Sequence, residues 1–149
     1  MLRIGAFLIF TMALAAAEPG VRAQLVGGTA ADFDTKGRVR LDLSDPETLV
    51  LRNGKAELRL FYTRINTLEY GQNVSRRYAA AVLVSPMFLL SKSRKHFVTI
   101  GFTDRDGKQQ ALVFRVDKGD IRSVLTNLEA RTGRRVEYQD DEARKAGKG

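Results

Sequence analysis

The chain contains no cysteine, a single histidine, and no internal apolar run long enough to cross a bilayer. The missing cysteine removes disulfides, cysteine-ligated zinc and thiol catalysis together. It also removes bacterial lipoprotein processing, which needs a cysteine as the first mature residue. The single histidine, His96, stands beside no recognisable nucleophile, because no serine sits in a G-x-S-x-G context. The longest uncharged internal stretch, YAAAVLVSPMFLL from Tyr78 to Leu90, is too short to span. The fold must therefore stand on its apolar core, and 149 residues are enough for one domain with a core of useful size. No cofactor and no metal-ligand set is implied.

What is present begins with a distinctive N-terminus. MLRIGAFLIFTMALAAAEPGVRAQ has a basic start at Arg3 and an apolar core from Ile4 to Ala17. Small residues precede two cleavage points, after Ala17 and after Ala23. This is the three-part layout of a secretory signal peptide, here assigned to residues 1–23. The apolar core falls short of the ~20 residues of a spanning helix, which favours cleavage over retention as an anchor. The expected location is periplasmic or secreted, with membrane association as a variant.

Net charge is +8, from 25 basic and 17 acidic side chains. Such a balance favours acidic partners, and for an exported chain a membrane surface or an anionic polysaccharide suits better than nucleic acid. A nucleic-acid role would also require stacking aromatics within a basic face, and only Phe97 and Phe102 lie near a basic cluster.

After a small, polar, Gly-rich lead-in at 24–37, regular patterning starts. RVRLDL alternates Val39, Leu41 and Leu43 with Arg38, Arg40 and Asp42, a half-buried strand. SDPE turns the chain at Pro46. TLVLR and KAELRLFYTRI flank Asn53-Gly54, a pair suited to a type I′ hairpin turn. Ala56, Leu58, Leu60 and Tyr62 fall on one face, and Lys55, Glu57, Arg59 and Phe61 on the other. The run continues or bends into INTLEYG, ending at Gly71. The stretch from Tyr78 to Leu90, split by Ser85-Pro86, reads as two buried strand segments. KHFVTIGF and QQALVFRV flank the turn DRDGK, with Gly107 free to adopt positive φ.

One helix follows, marked by the apolar stripe Ile121, Val124, Leu125 and Leu128. Asp117 is placed to cap its start, Asp120 to face the positive end of the dipole, and Gly133 to terminate it. VEY adds a short strand, and the charged tail 139–149 frays. Strands followed by one amphipathic helix require that helix to cover an open end or face of the sheet.

This order, with the basic balance, resembles the pleckstrin-homology-like (PH-like) fold, a bent antiparallel β-barrel or sandwich capped by a C-terminal helix. The segments SPMFLLSKSRKHFVTIGF and NLEARTGRRVEY resemble those of small uncharacterised bacterial exported proteins assigned a PH-like domain. The resemblance covers roughly residues 38–138. It implies a mainly β domain that binds a ligand and is not an enzyme. Members of the fold that bind phosphoinositides use basic residues in the first hairpin loop. Asn53-Gly54 is too tight for that, so no lipid ligand is carried over, and a protein or peptide partner is the implied alternative.

The candidate site is a basic bracket around the apolar stretch. Arg76 and Arg77 precede it, and Lys92, Arg94 and Lys95 follow it, so an anionic lipid surface could meet cations on both sides of residues 76–95. The competing reading makes the stretch core and its flanks solvated strand ends. His96 at a strand start reads as an edge residue, not a general base. Asp104-Arg105-Asp106-Gly107 resembles a calcium loop, but Lys108 follows where more oxygen ligands are needed, so a hairpin turn is the better reading. Glu137, Asp140, Asp141 and Glu142 cluster on the tail, away from any acid/base pairing.

Overall fold

A computed structural model describes residues 19–29, 33, 37–54, 56–74 and 95–148. The strands are β1 (Val21–Gly28), β2 (Gly37–Asp42), β3 (Thr48–Asn53), β4 (Ala56–Phe61), β5 (Ile65–Gly71), β6 (His96–Thr103), β7 (Gln109–Val116) and β8 (Glu137–Tyr138). Two helices, α1 (Ile121–Thr132) and α2 (Asp141–Lys148), bracket β8. The strands form one sheet in the order β4-β3-β2-β1-β7-β6-β5-β8, antiparallel except for the β5–β8 pair. The protein is thus mainly β with C-terminal helices.

The β2–β4 meander follows its alternation. Val39, Leu41, Leu49, Leu51 and Leu60 enter the main core, while Arg59 and Phe61 stay exposed on the opposite phase of β4. The β3–β4 reversal falls one residue later than the Asn53-Gly54 pair predicted. Asn53 stays in the ladder opposite Ala56, and Gly54 takes the left-handed conformation at φ +55°. Asp42, expected on the polar face, is buried.

The largest correction concerns the N-terminal lead-in. Gln24–Gly28 is not a mobile segment but the second half of β1, which pairs with β2 on one side and β7 on the other. The strand is buried on both faces: Ala23 and Leu25 join the main core, and Val26 joins a small cluster with Phe97, Ala111 and Val113 on the opposite face. A slip in the ladder between Leu25 and Gly27 accommodates this change of side. The first strand of the sheet therefore begins at Val21, ahead of the strand expected from 38. Residues 1–18 lie outside the described residues, as do the two strand segments expected within 78–90.

The sheet does not close into a barrel. After β4 the chain makes a single 3-10 turn at Tyr62–Arg64, and β5 then pairs with β6 and β8 instead of returning to β4. The β6–β7 hairpin forms as its alternation predicts, with Gly107 at φ +79° in the turn. Asp104 Oδ1 accepts the backbone N–H groups of Asp106 and Lys108, so this carboxylate organises a turn and not a calcium loop.

Helix α1 buries Ile121, Val124, Leu125 and Leu128 in the main core, against β5 and the 3-10 turn. Its start differs from expectation: Asp120 occupies the cap position without a side-chain cap bond, and Asp117 contributes its backbone carbonyl. Gly133 ends it at φ +67°, its N–H donating to Glu129 O. The tail does not fray. Asp140 Oδ1 accepts the N–H of Ala143 at 2.7 Å and caps α2. Asp141 and Glu142 in the first turn and Lys145 and Lys148 in the last oppose the helix dipole favourably. Ala143 is fully buried, and a Cβ on Gly147 would lie 2.7 Å from the Tyr138 ring, so α2 docks by its two smallest residues.

Leu125 is almost fully buried beneath α1. Replacing it by alanine leaves a cavity under the helix, and Leu125→Ala is expected to cost about 2–5 kcal/mol in a urea titration. A variant as stable as the parent would show that this stripe is not packed.

Candidate functional site

A ladder of charges crosses the outer face of β2, β3 and β4. Ser44 Oγ donates to Asp42 Oδ1 at 2.6 Å, and Arg52 donates to Asp42 Oδ2 at 2.7 Å. Arg52 also reaches Glu57 at 3.1 Å, and Glu57 accepts from Arg59 at 2.7 Å. The ladder starts buried at Asp42 and ends exposed at Arg59, so it holds Arg59 in place on the outermost strand.

That strand is a free edge. Among the described residues β4 has β3 on one side and no strand on the other. The register sets which backbone groups are left over. Asn53 and Ala56 close the hairpin, so the hydrogen-bonded pairs of the ladder are Asn53 with Ala56, Leu51 with Leu58, and Leu49 with Leu60. The N–H and C=O groups of Glu57 and Arg59, and the N–H of Phe61, therefore point outward, while the Phe61 carbonyl opens the 3-10 turn.

A cavity of about 570 Å³ opens along this edge, between β4 and the β6–β7 turn. Its size is within the range of ligand-binding clefts. Successive residues of both phases, from Leu58 to Phe61, line it, as they must if it follows the strand's backbone edge. Leu60 and Phe102 supply apolar floor, and Phe61, at 47% exposure, is the one large apolar side chain left exposed among the described residues. Arg59, Arg64, Arg105 and Lys108 also line it and are all exposed. Against them stand Asp104 and Asp106, and Asp104 is already engaged by two backbone N–H groups and by Gln110 Nε2 at 2.8 Å. Those bonds, Gln110 foremost, hold its carboxyl below the ordinary range. The groove is a cationic, partly apolar trough beside an unpaired strand.

Of the five cations predicted as an anion site, Arg76, Arg77, Lys92 and Arg94 lie outside the described residues. Lys95 immediately precedes β6, half-buried. It stands at the Gly71–Phe97 end of the β5–β6 ladder, whereas the groove is at the Ile65–Phe102 end. The groove is thus apart from Lys95.

His96 is not an open edge residue. Its Nδ1 and the Tyr70 hydroxyl are 2.6 Å apart, and the two rings stack at 6.0 Å. Tyr138 meets Tyr70 edge-on at 5.9 Å, beneath Lys148. Burial, with a contribution from Lys118, lowers the imidazole pKa and keeps it neutral at neutral pH. Burial, and then Tyr138, raises the Tyr70 hydroxyl in turn. Tyr70 is completely buried, and this pair knits β5, β6 and α2 together.

Sequence reasoning missed the groove because its residues come from three separate segments. One signal was available: Phe61 is the aromatic that breaks the otherwise charged phase Lys55, Glu57, Arg59. The α2 cap was also legible, since Asp140 precedes two acidic first-turn residues and two later lysines.

The ladder yields a pH prediction. The Ser44 hydroxyl first, and then Arg52, lower the Asp42 carboxyl to about 2. A folded pKa below the unfolded value means stability that is present above about pH 4 and lost as pH falls through the folded value. From pH 6 to pH 2 the parent should lose about 2 kcal/mol more than Asp42→Asn, measured by urea titration at each pH. Identical pH profiles would show that Asp42 is not held as described.

Compared with models of protein families, the chain matches none, and a comparison with curated proteins also finds no match.

Proposed function

We propose that this chain is an exported, non-enzymatic interaction module of PH-like fold that binds a protein or peptide partner. The resemblance is supported by a strand meander that bends after β4 and by a helix, α1, packed on β5 behind the last long strand. A departure from it is the open sheet, which among the described residues leaves one edge of β4 without a neighbouring strand. The observation that carries the reading is this free edge with the trough beside it. A strand edge with outward backbone groups, an exposed aromatic and a concave approach is suited to holding another chain. The only histidine is tied to a buried tyrosine, which supports binding over catalysis.

Export is part of the proposal, and β1 favours the earlier of the two cleavage points. Cleavage after Ala23 would remove Val21, Arg22 and Ala23 from β1, with their pairing to Leu41, Arg40 and Val39. Ala23 is buried opposite Val116. Cleavage after Ala17 leaves the strand whole.

Two experiments test this reading. Intact-mass analysis of the protein from its native compartment should give a mature chain beginning at Glu18. An unprocessed chain would overturn export, and a chain beginning at Gln24 would overturn the account of β1. A photo-crosslinking residue at position 61 should capture a discrete partner in cells, whereas one at exposed Arg122 on α1 should not. Equal capture at both positions, or none at either, would overturn the interaction module.

A further inference from the structure

We infer that the β4 edge receives an extended acidic segment of another polypeptide, added to the sheet as a further strand. This rests on the interaction-module reading and names its partner by chemistry.

The backbone supplies the first part of the argument. The N–H and C=O groups of Glu57 and Arg59, with the N–H of Phe61, face out of the sheet at the spacing of a ladder, so an incoming strand completes a pattern already half built. At the other end of the sheet β5 is covered by β8, whose own edge is only two residues long, which leaves β4 as the one edge of useful length among the described residues. A natural edge of this kind is ordinarily blunted by charged side chains, a bulge, a proline or a covering element, and here the charges on the strand, Glu57 and Arg59, pair with each other. The β3–β4 ladder is regular along its whole length and β4 contains no proline.

Charge selects the kind of strand. Side chains of an added strand would stand among Arg59, Arg64, Arg105 and Lys108, with Asp106 the one groove carboxylate not engaged by the hairpin. Carboxylates on the incoming segment meet cations there, whereas a basic segment would be repelled. Phe61 stands at the end of the edge, where an apolar side chain of the partner can cover it. A second copy of this chain fits less well, because it would bring its own four groove cations to the same place. A flat membrane fits less well still, since the cations line a concavity and not a protruding face.

The test uses the mature protein, a fluorescent short peptide alternating Glu and Val, the matching Lys and Val peptide, and a Glu/Val peptide N-methylated at alternate residues. N-methylation removes backbone donors while leaving the charges in place. Anisotropy at physiological ionic strength should show binding of the first peptide alone, with amide shifts concentrated at Glu57, Arg59 and Phe61. Arg105→Glu/Lys108→Glu should weaken it about tenfold or more, and Phe61→Ala should weaken it further. Both variants alter exposed side chains, and an unchanged thermal transition will show that they fold. Equal binding of the N-methylated peptide overturns strand addition. Equal binding of the lysine peptide, or no binding of the acidic one, overturns the acidic assignment. A dimer lost on Phe61→Ala, or binding to anionic vesicles without peptide binding, assigns the edge to those partners and overturns the proposal. If position 61 still captures a partner in cells while the acidic peptide fails, this inference falls and the interaction module stands. If both fail, both fall.

Discussion

The pairing of β1 on both of its edges is the constraint on which the rest of the structure depends. β2, β3 and β4 form one meander, and β5, β6 and β7 form another. Only β1 joins them, through Val21–Leu25 to β2 and through Ala23–Gly28 to β7. β1 is also buried on both faces, with Ala23 and Leu25 toward one cluster and Val26 toward the other. The slip between Leu25 and Gly27 lets neighbouring residues serve different sides without breaking the ladder. Without β1, the two meanders would each present an unpaired edge strand and share no sheet.

The two ends of this sheet are treated in opposite ways. At the β5 end, β8 adds two parallel residues, and Gln139 reaches back to Glu69 and to the Asn73 carbonyl. Helix α2 then seats Ala143 and Gly147 against the Tyr70–Tyr138 pair. Small residues make this possible, since the close approach leaves no room for a larger side chain. At the β4 end nothing of the kind occurs among the described residues. The charge ladder from Asp42 through Arg52 and Glu57 instead stiffens the last strand and fixes Arg59 beside the trough. Such a ladder rigidifies an edge at little cost in solubility, and a rigid edge loses less conformational entropy when another chain binds to it.

Most of the strand pattern was legible because burial imposes a period of two. Val39, Leu41, Leu58 and Leu60 announce their faces in the sequence, and the helix stripe from Ile121 to Leu128 announces its own. Local chemistry was legible too: Gly107 and Gly133 end a hairpin and a helix where positive φ is needed. Asp42 was misread because alternation assigns it to the polar phase, and only the neighbouring Ser44 and Arg52 allow a carboxylate to be buried there. The first part of the lead-in, 24–28, was misread for a related reason. QLVGG is short, small and Gly-rich, and nothing within it reveals that strands from both halves of the chain will pair with it.

By itself, then, the sequence determined the local periods: which stretches form strands, where the amphipathic helix lies, and the absence of disulfides. These depend on neighbours one to four residues apart. Tertiary structure alone decided that β1 is central, that the sheet stays open at β4, and that Phe61, Arg64, Arg105 and Lys108 share one trough. Each of those facts depends on residues distant in the chain, where pairing register and the direction of a single 3-10 turn set what meets what. Periodicity carries no information about such encounters, because it specifies the face a side chain takes and not the strand it will stand beside.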